Sequence, residues 1–292
     1  MIHKSRGENI FAGFNYVFFL ALSVLMLYPF WHVVMMSFSS VEETTKGGIF
    51  LWPRGFNIET YEAVFKNPQI LTGYATTIAV TLAGTFFGTL VTAATAYALS
   101  KKYLPFGSAL MILILFTMLF SGGMIPGYLL IKNLGLIDNR LSLILPGLIS
   151  AYNVIIMKTF FSTIPESFEE SAYIDGANEV RVFAQIILPL SQATLATIAL
   201  FMAVGYWNDY FSSVLYINSG EKWALQAVLR FMLTQTQQAL TQAGVNVSSV
   251  SNTTAGSIKA ASVVVATVPI LIIYPFLQKY FVKGVMIGGV KG

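Results

Sequence analysis

The chain has 292 residues, of which 55% are apolar and 10% charged, with a formal net charge of +4. Soluble domains carry about 25% charged residues. So few charges cannot cover a water-facing globule, which excludes an ordinary soluble enzyme and a disordered chain; the surplus apolar surface is expected to face lipid. There is no cysteine, which excludes disulfides, thiolate metal and iron–sulfur sites and Cys nucleophiles. The two histidines, His3 and His32, would need carboxylates that the apolar segments lack in order to hold a metal. No stripe of Lys and Arg points to nucleic acid.

In chain order, Lys4 and Arg6 precede an apolar stretch from Phe11 to Phe38. A signal peptide's apolar core runs only about 7–15 residues, so this reads as a retained membrane helix. A span needs about 20 apolar residues. Six are expected, over Phe11–Ser39, Thr72–Ser100, Gly107–Ile131, Leu141–Met157, Phe183–Tyr210 and Ala260–Gln278. Their length and lack of alternation favour helices over barrel strands. Six spans place both termini on one side. The segments 1–10, 100–106, 158–182 and 279–292 on that side hold nine Lys and Arg in 56 residues, against eight in 89 residues on the other. The excess predicts cytoplasmic termini. Three sections follow: 1–71, a first span and outer loop; 72–282, a five-span core; and 283–292, a cytoplasmic tail.

Gly84 and Gly88, continued by Thr92 and Ala96, form a small-residue stripe for helix packing, within the chain or against a second membrane subunit. Pro126, Pro146, Pro189 and Pro269 fall in or at the ends of spans, where they can kink helices. The long segment 212–257 reads either as a solvated loop or as a surface for an outside partner; its sequons at Asn246 and Asn252 read as chance in Ser- and Thr-rich sequence. His32 reads as structural.

Span interiors are free of Asp, Glu, Lys and Arg, and only Asp209 comes close, near a span end. Ion-coupled transporters and pumps need such groups, so secondary active transport is disfavoured. There is no phosphate-binding Gly-x-x-x-x-Gly-Lys-Ser/Thr loop, no nucleophile elbow and no paired acids within the spans. Any energetic work therefore needs another subunit.

Residues 158–182 form the longest inner segment. Thr163 to Glu166 fits a capping box, which predicts a short helix through about Ile174, with Gly176 placed to end it in a left-handed cap. A second helix then leads through Val180 into the fifth span. The first helix carries Phe168, Ala172 and Tyr173 beside Glu166, Glu169 and Glu170. It is too short to stand alone, and its acidity disfavours a bed of inner-leaflet headgroups. Docking into a partner protein fits better.

Glu170-Ser171-Ala172, then Gly176 after three residues, Ile186 after nine more, and Leu188-Pro189 resemble the cytoplasmic loop motif of binding-protein-dependent ABC importer permeases. The one departure is Ser171 where the motif has Ala. Resemblance covers nearly the whole chain and is strongest to the carbohydrate-uptake branch, which includes the smaller maltose-importer permease and permeases for oligosaccharides and polysaccharide fragments. The stretches from Phe120 to Phe161 and from Gly205 to Phe211 carry it.

That resemblance implies an all-α type I importer permease with six membrane helices, multi-pass in the bacterial cytoplasmic membrane. Its loop helix would couple to a cytoplasmic ATPase dimer that binds ATP and Mg. A second homologous permease and an extracytoplasmic sugar-binding protein would complete the complex, with the 212–257 loop positioned to probe the binding protein. No cofactor, metal or catalytic residue is expected in this chain. ATPase coupling falls to Phe168, Glu169, Glu170, Ser171, Ala172, Tyr173, Asp175 and Gly176. Candidates for the translocation path are Tyr152, Asn153, Tyr206, Trp207, Asn208 and Asp209, polar or aromatic groups at span depth that suit sugar hydroxyls and faces. For Tyr152 and Asn153 helix–helix hydrogen bonding is the alternative, and for the last four an aromatic interface belt. The rival classes are a permease for another solute and a passive channel or membrane scaffold.

Overall fold

The computed structural model describes residues 6–242 and 256–272. Its elements are α1 (Arg6–Ser37), α2 (Val41–Lys46), α3 (Glu59–Lys66), α4 (Pro68–Ser100), α5 (Gly107–Leu119) and α6 (Met124–Asn133). Two 3-10 turns (Arg140–Leu143 and Leu145–Gly147) lead to α7 (Ala151–Phe161) and α8 (Ser167–Ile174). Then come α9 (Glu179–Val182), a π turn (Phe183–Ile187), α10 (Leu188–Leu190), α11 (Gln192–Asn208), α12 (Phe211–Tyr216), a 3-10 turn (Gly220–Lys222) and α13 (Leu225–Gln242). The last described helix is α14 (Gly256–Ile272). Among the described residues there is no strand, only an isolated bridge between Ser39 and Phe56.

Two helices, Gly7–Ser37 and Pro68–Ser100, are long and apolar enough to cross a membrane unbroken. The third, fourth and fifth expected spans are instead broken pairs, bent by 113° between α5 and α6, 47° before α7 and 84° before α11. Each break has a local cause. Gly123 between α5 and α6 takes φ +89°, and its N–H is taken by Ser121 Oγ at 3.2 Å. Pro146 and the extended Ser150 interrupt the helical run before α7. Pro189 has no N–H to return to the preceding turn, and the chain widens into the π turn, where Leu188 N–H reaches back to Phe183 O. Of the sixth expected span, residues 273–278 lie outside the described residues, as do the tail 283–292, His3, Lys4 and the sequons at Asn246 and Asn252.

The chain divides into two compact units, Met1–Asn67 with Phe231–Val268 and Pro68–Arg230 with Pro269–Gly292. In the first, α1 exposes Phe14, Phe19 and Leu25, as a helix solvated by lipid does. The segment after α2 folds back onto the end of α1. Trp31 Nε1–H donates to Leu51 O at 2.8 Å, and His32 Nδ1 accepts from the N–H of buried Phe50 at 3.2 Å. His32 is thus a backbone anchor in this structure.

The second unit is built around α4, which packs along α7 and α11. One continuous core runs from Leu143 and Ile217 through Tyr206, Met202 and Ala93 to Ala172 and Val182. The small-residue stripe makes this packing within the chain. A Cβ on Gly84 would lie 2.5 Å from the Tyr206 ring, and one on Gly88 2.9 Å from the Met202 side chain and 3.1 Å from Leu148 O. Thr92 and Ala96 are buried on the same helix. Thr77 Oγ1 accepts from Leu225 N–H at 2.8 Å, where α13 begins. The stretch 225–242 is therefore helical rather than a loop throughout. Leu, Ala and Gln are good helix formers, and Leu225, Ala227, Val228 and Leu229 are buried.

Gly84→Val is expected to cost about 1–3 kcal/mol as overpacking against Tyr206. Gly13→Ala, where a Cβ meets nothing within 4 Å inside α1, is expected to be stabilising by up to about 1 kcal/mol. Thermal unfolding in detergent or nanodiscs measures both.

Candidate functional site

The segment after α7 folds as an exposed two-turn helix. Thr163 does not cap it, because its Oγ1 donates to Phe160 O at 2.7 Å; Glu166 occupies the cap position and its carboxylate pairs with Lys102 at 2.7 Å. That pairing lowers the Glu166 carboxyl and raises the Lys102 ammonium from their ordinary values. The helix ends in a Schellman motif: Gly176 N–H donates to Tyr173 O at 3.0 Å and Ala177 N–H to Ala172 O at 2.9 Å. This geometry requires φ +80° at Gly176, which glycine adopts without steric cost. Asn178 then caps α9, its Oδ1 accepting from Arg181 N–H at 2.9 Å.

The eight residues assigned to ATPase coupling divide between two faces. Ala172 is buried in the core, and Glu169 pairs with Lys101 beside the end of α4. Lys101 also lies over the Tyr97 ring, 4.0 Å from its centroid. Tyr173 turns toward α9, where its hydroxyl donates to Glu179 Oε1 at 2.9 Å. Phe168, Glu170, Ser171, Asp175 and Gly176 are exposed, together with Ile174 at 86%. Ser171 Oγ donates back to Ser167 O at 2.7 Å. Among the described residues Glu170 has no ion-pair partner. Exposed Glu170 and Ile174 lie four residues apart on one side of α8, and exposed Phe168 lies on another. A cleft of about 530 Å³ lies between this helix and the end of α4, lined by Lys101, Lys102, Lys158, Glu166, Glu169 and Glu170 among others.

Four of the six path candidates meet at a second cavity, of about 630 Å³. Tyr152, Asn153, Tyr206 and Asp209 line it with Ser150, Phe201 and Ser212. Asn153 is 6% exposed, whereas Tyr152 is open. The Tyr206 hydroxyl donates to Ile144 O at 2.9 Å, and Asp209 Oδ1 accepts from Ser212 N–H at 3.1 Å. Both polar groups are thus partly engaged in holding the wall. Trp207 and Asn208 do not line the cavity; Trp207 is buried, and the Asn208 amide donates to Val204 O at 2.9 Å. Size and lining suit a small polar ligand with aromatic faces against it. No Lys or Arg lines it.

Two functional-looking acids escaped the sequence reading because most of their partners are distant in the chain. Glu179 gathers three tyrosine hydroxyls at the α8 end. Asp138, at the opposite end of α4, accepts from Lys222 Nζ at 2.7 Å, from Ser219 N–H at 2.8 Å and Ser219 Oγ at 2.7 Å. Lys222 and Ser219 hold the Asp138 carboxyl well below the usual carboxylate range. Nearby, Arg140 Nε–H donates to Thr76 Oγ1 at 3.1 Å.

A helical chain with broken apolar spans, an exposed motif-bearing helix at one end and a polar cavity between its helices is a membrane transport component. Residues 103–287 match the family of binding-protein-dependent transport system inner membrane components, and the chain belongs to it as a permease. The chain is similar to protein LplC of Bacillus subtilis (41% identical, covering 100% of this chain and 98% of the relative). It is also similar to the polygalacturonan/rhamnogalacturonan transport system permease protein YtcP of the same organism (43% identical, covering 98% and 99%). Among solved structures it matches a chain of a bacterial ABC transporter involved in the import of the acidic polysaccharide alginate, with a TM-score of 0.82, 33% identity and coverage of 96% and 100%.

Substitution at Gly176 isolates the backbone requirement, since a Cβ there meets nothing within 4 Å. Gly176→Ala is expected to cost about 1–2 kcal/mol through the left-handed conformation alone, and Gly176→Val more. Proteolysis at the α8–α9 turn should rise in that order while the spans stay protected.

Proposed function

We propose that this chain is the translocation subunit of an ATP-driven importer of oligosaccharides or polysaccharide fragments. The observation that carries the reading is likeness along the whole chain to a permease named for polygalacturonan and rhamnogalacturonan, 43% identical over 98% of this chain. The family match and the alginate-importer likeness support it. The chain sits in the bacterial cytoplasmic membrane with six spans and both termini in the cytoplasm, as its Lys and Arg distribution favours. Residues 72–282 form the transporting core, 1–71 an added span with its outer loop, and 283–292 a tail.

In this reading α8 is the coupling helix. Its outward Phe168, Glu170 and Ile174 enter a cleft on a cytoplasmic ATPase dimer, which supplies ATP and Mg. ATPase closure pulls α8, and the helices behind it swing the path from inward-open to outward-open. An extracytoplasmic sugar-binding protein delivers the substrate, and a homologous permease supplies the other half of the path. The 212–257 segment serves as the contact with the binding protein. The cavity at Asn153 and Tyr152 is this subunit's share of the path. Without Lys or Arg in its lining it offers hydrogen bonds, ring faces and the Asp209 carboxylate but no cation, so recognition of any substrate carboxylates falls to the other subunits.

Reconstitution with the partner subunits in proteoliposomes tests the reading: ATP-dependent uptake of labelled oligogalacturonides or neutral oligosaccharides is expected, and its absence with every sugar, in a complex that hydrolyses ATP, would refute it. Glu170→Lys is expected to reduce co-purification of the ATPase, because it reverses the free charge on the docking face. Asn153→Leu is expected to leave that association intact and to lower uptake by about tenfold, the loss of one or two hydrogen bonds to substrate.

A further inference from the structure

The carboxylate of Glu179 is a junction of four chain segments. Tyr97, on the last turns of α4, donates its hydroxyl to Oε2 at 2.9 Å. Tyr103, in the turn after α4, and Tyr173, on α8, donate to Oε1 at 2.5 and 2.9 Å. Glu179 itself is the first residue of α9, which runs through the π turn toward α11. A carboxylate offers about four lone-pair sites, so one side chain can hold three phenols at once. Hydrogen bonds to an ionised acceptor are short and about twice as strong as neutral ones. Burial pushes the Glu179 carboxyl up, but the three phenols and nearby Lys101 outweigh it and hold the group below its usual value. The ion pairs of Lys101 with Glu169 and of Lys102 with Glu166 fasten α8 to the same turn as well.

Such a fastening answers a mechanical need. The eight residues of α8 span only about 12 Å, shorter than a helix that is stable alone. Ala172 is its one buried residue, and a Cβ at the glycine that ends it would meet nothing within 4 Å. A pull on α8 would swing it about that turn unless something tied it to a span. We propose that Glu179 is a positioning residue that makes α8 one rigid body with the end of α4, so that displacement of α8 passes to α4 instead of dissipating within 158–182. The proposal rests on the reading of α8 as the ATPase contact.

The test compares wild type with Glu179→Gln, whose amide has one acceptor oxygen for three phenols, and with Tyr103→Phe, which removes one donor from the exposed rim. Each is reconstituted with the partner ATPase, second permease and binding protein, and sugar delivered per ATP hydrolysed is measured beside subunit recovery. Glu179→Gln is expected to retain the ATPase in full yield and to lower the transport-to-hydrolysis ratio at least about fivefold, the lower end of a usual coupling energy. Tyr103→Phe should give a smaller loss, and Glu179→Asp, which keeps the charge, should recover part of it. An unchanged ratio in Glu179→Gln overturns the proposal, and so does loss of ATPase association, which marks a merely structural role. If Glu179→Gln does not accumulate, Tyr103→Phe alone decides on the same criterion. Wild type without ATP-dependent uptake would instead remove the reading beneath it. Since the chain has no cysteine, spin labels at Ser167→Cys, exposed at the start of α8, and Phe87→Cys give a second readout. Their separation should stay constant on nucleotide binding in the otherwise wild-type chain and broaden in Glu179→Gln; broadening in both overturns the proposal.

Discussion

The placement of the Tyr206 ring is the contact on which the transporting unit depends. It fits only because α4 has no side chain at Gly84 and the turn before α7 has none at Gly147, where a Cβ would lie 2.9 Å from the Tyr206 hydroxyl oxygen. Seated there, the ring closes the approach of α11 to α4. Its hydroxyl also donates to Ile144 O, which accepts a second, 3-10-type bond from Gly147 N–H at 3.2 Å where the helical run breaks at Pro146. One residue therefore sets the spacing of two helices, hydrogen-bonds to the break in a third and forms a wall of the cavity.

From this seat the core continues without a gap to Ala172 on α8. Charge is arranged around that core rather than in it. Lys101, Lys102, Glu166, Glu169 and Glu179 gather at one end of α4, and Asp138, Arg140 and Lys222 at the other. The uncharged middle is what lipid tolerates, while each charged end is cross-linked by ion pairs or by hydrogen bonds to an ionised group. The motif-bearing helix and the polar cavity thus share one packed core.

Composition and apolar run length made the helical membrane class legible, and the spacing from Glu170 to Pro189 made the family legible. The left-handed turn at Gly176 was readable because only glycine adopts it freely. The breaks inside three expected spans were not, since apolar run length does not register a bend; Gly122-Gly123, Pro146 and Pro189 were the available signals. Thr163 looked like a cap, but its hydroxyl had a nearer acceptor in Phe160 O. Tyr206 and Asn153 were picked for polarity at depth, whereas Trp207 and Asn208 share that depth on faces that turn away from the cavity. Glu179 and Asp138 were invisible because partners such as Tyr97 and Lys222 lie more than eighty residues off in sequence.

The bracketing of α4 by charge restricts how that helix can travel. Between Thr76, where Arg140 is held, and Lys101 lie about 25 residues, or roughly 37 Å of helix, against a hydrocarbon layer of about 30 Å. A piston stroke along the membrane normal by more than a few ångströms would drag Lys101 or Arg140 toward hydrocarbon, at a cost that rises to about 2.5–3.5 kcal/mol for each charge at the bilayer centre. Tilting and rotation about the long axis leave both ends in the headgroup layers. Charge at both ends of the helix thus opposes translation along its axis more than tilt.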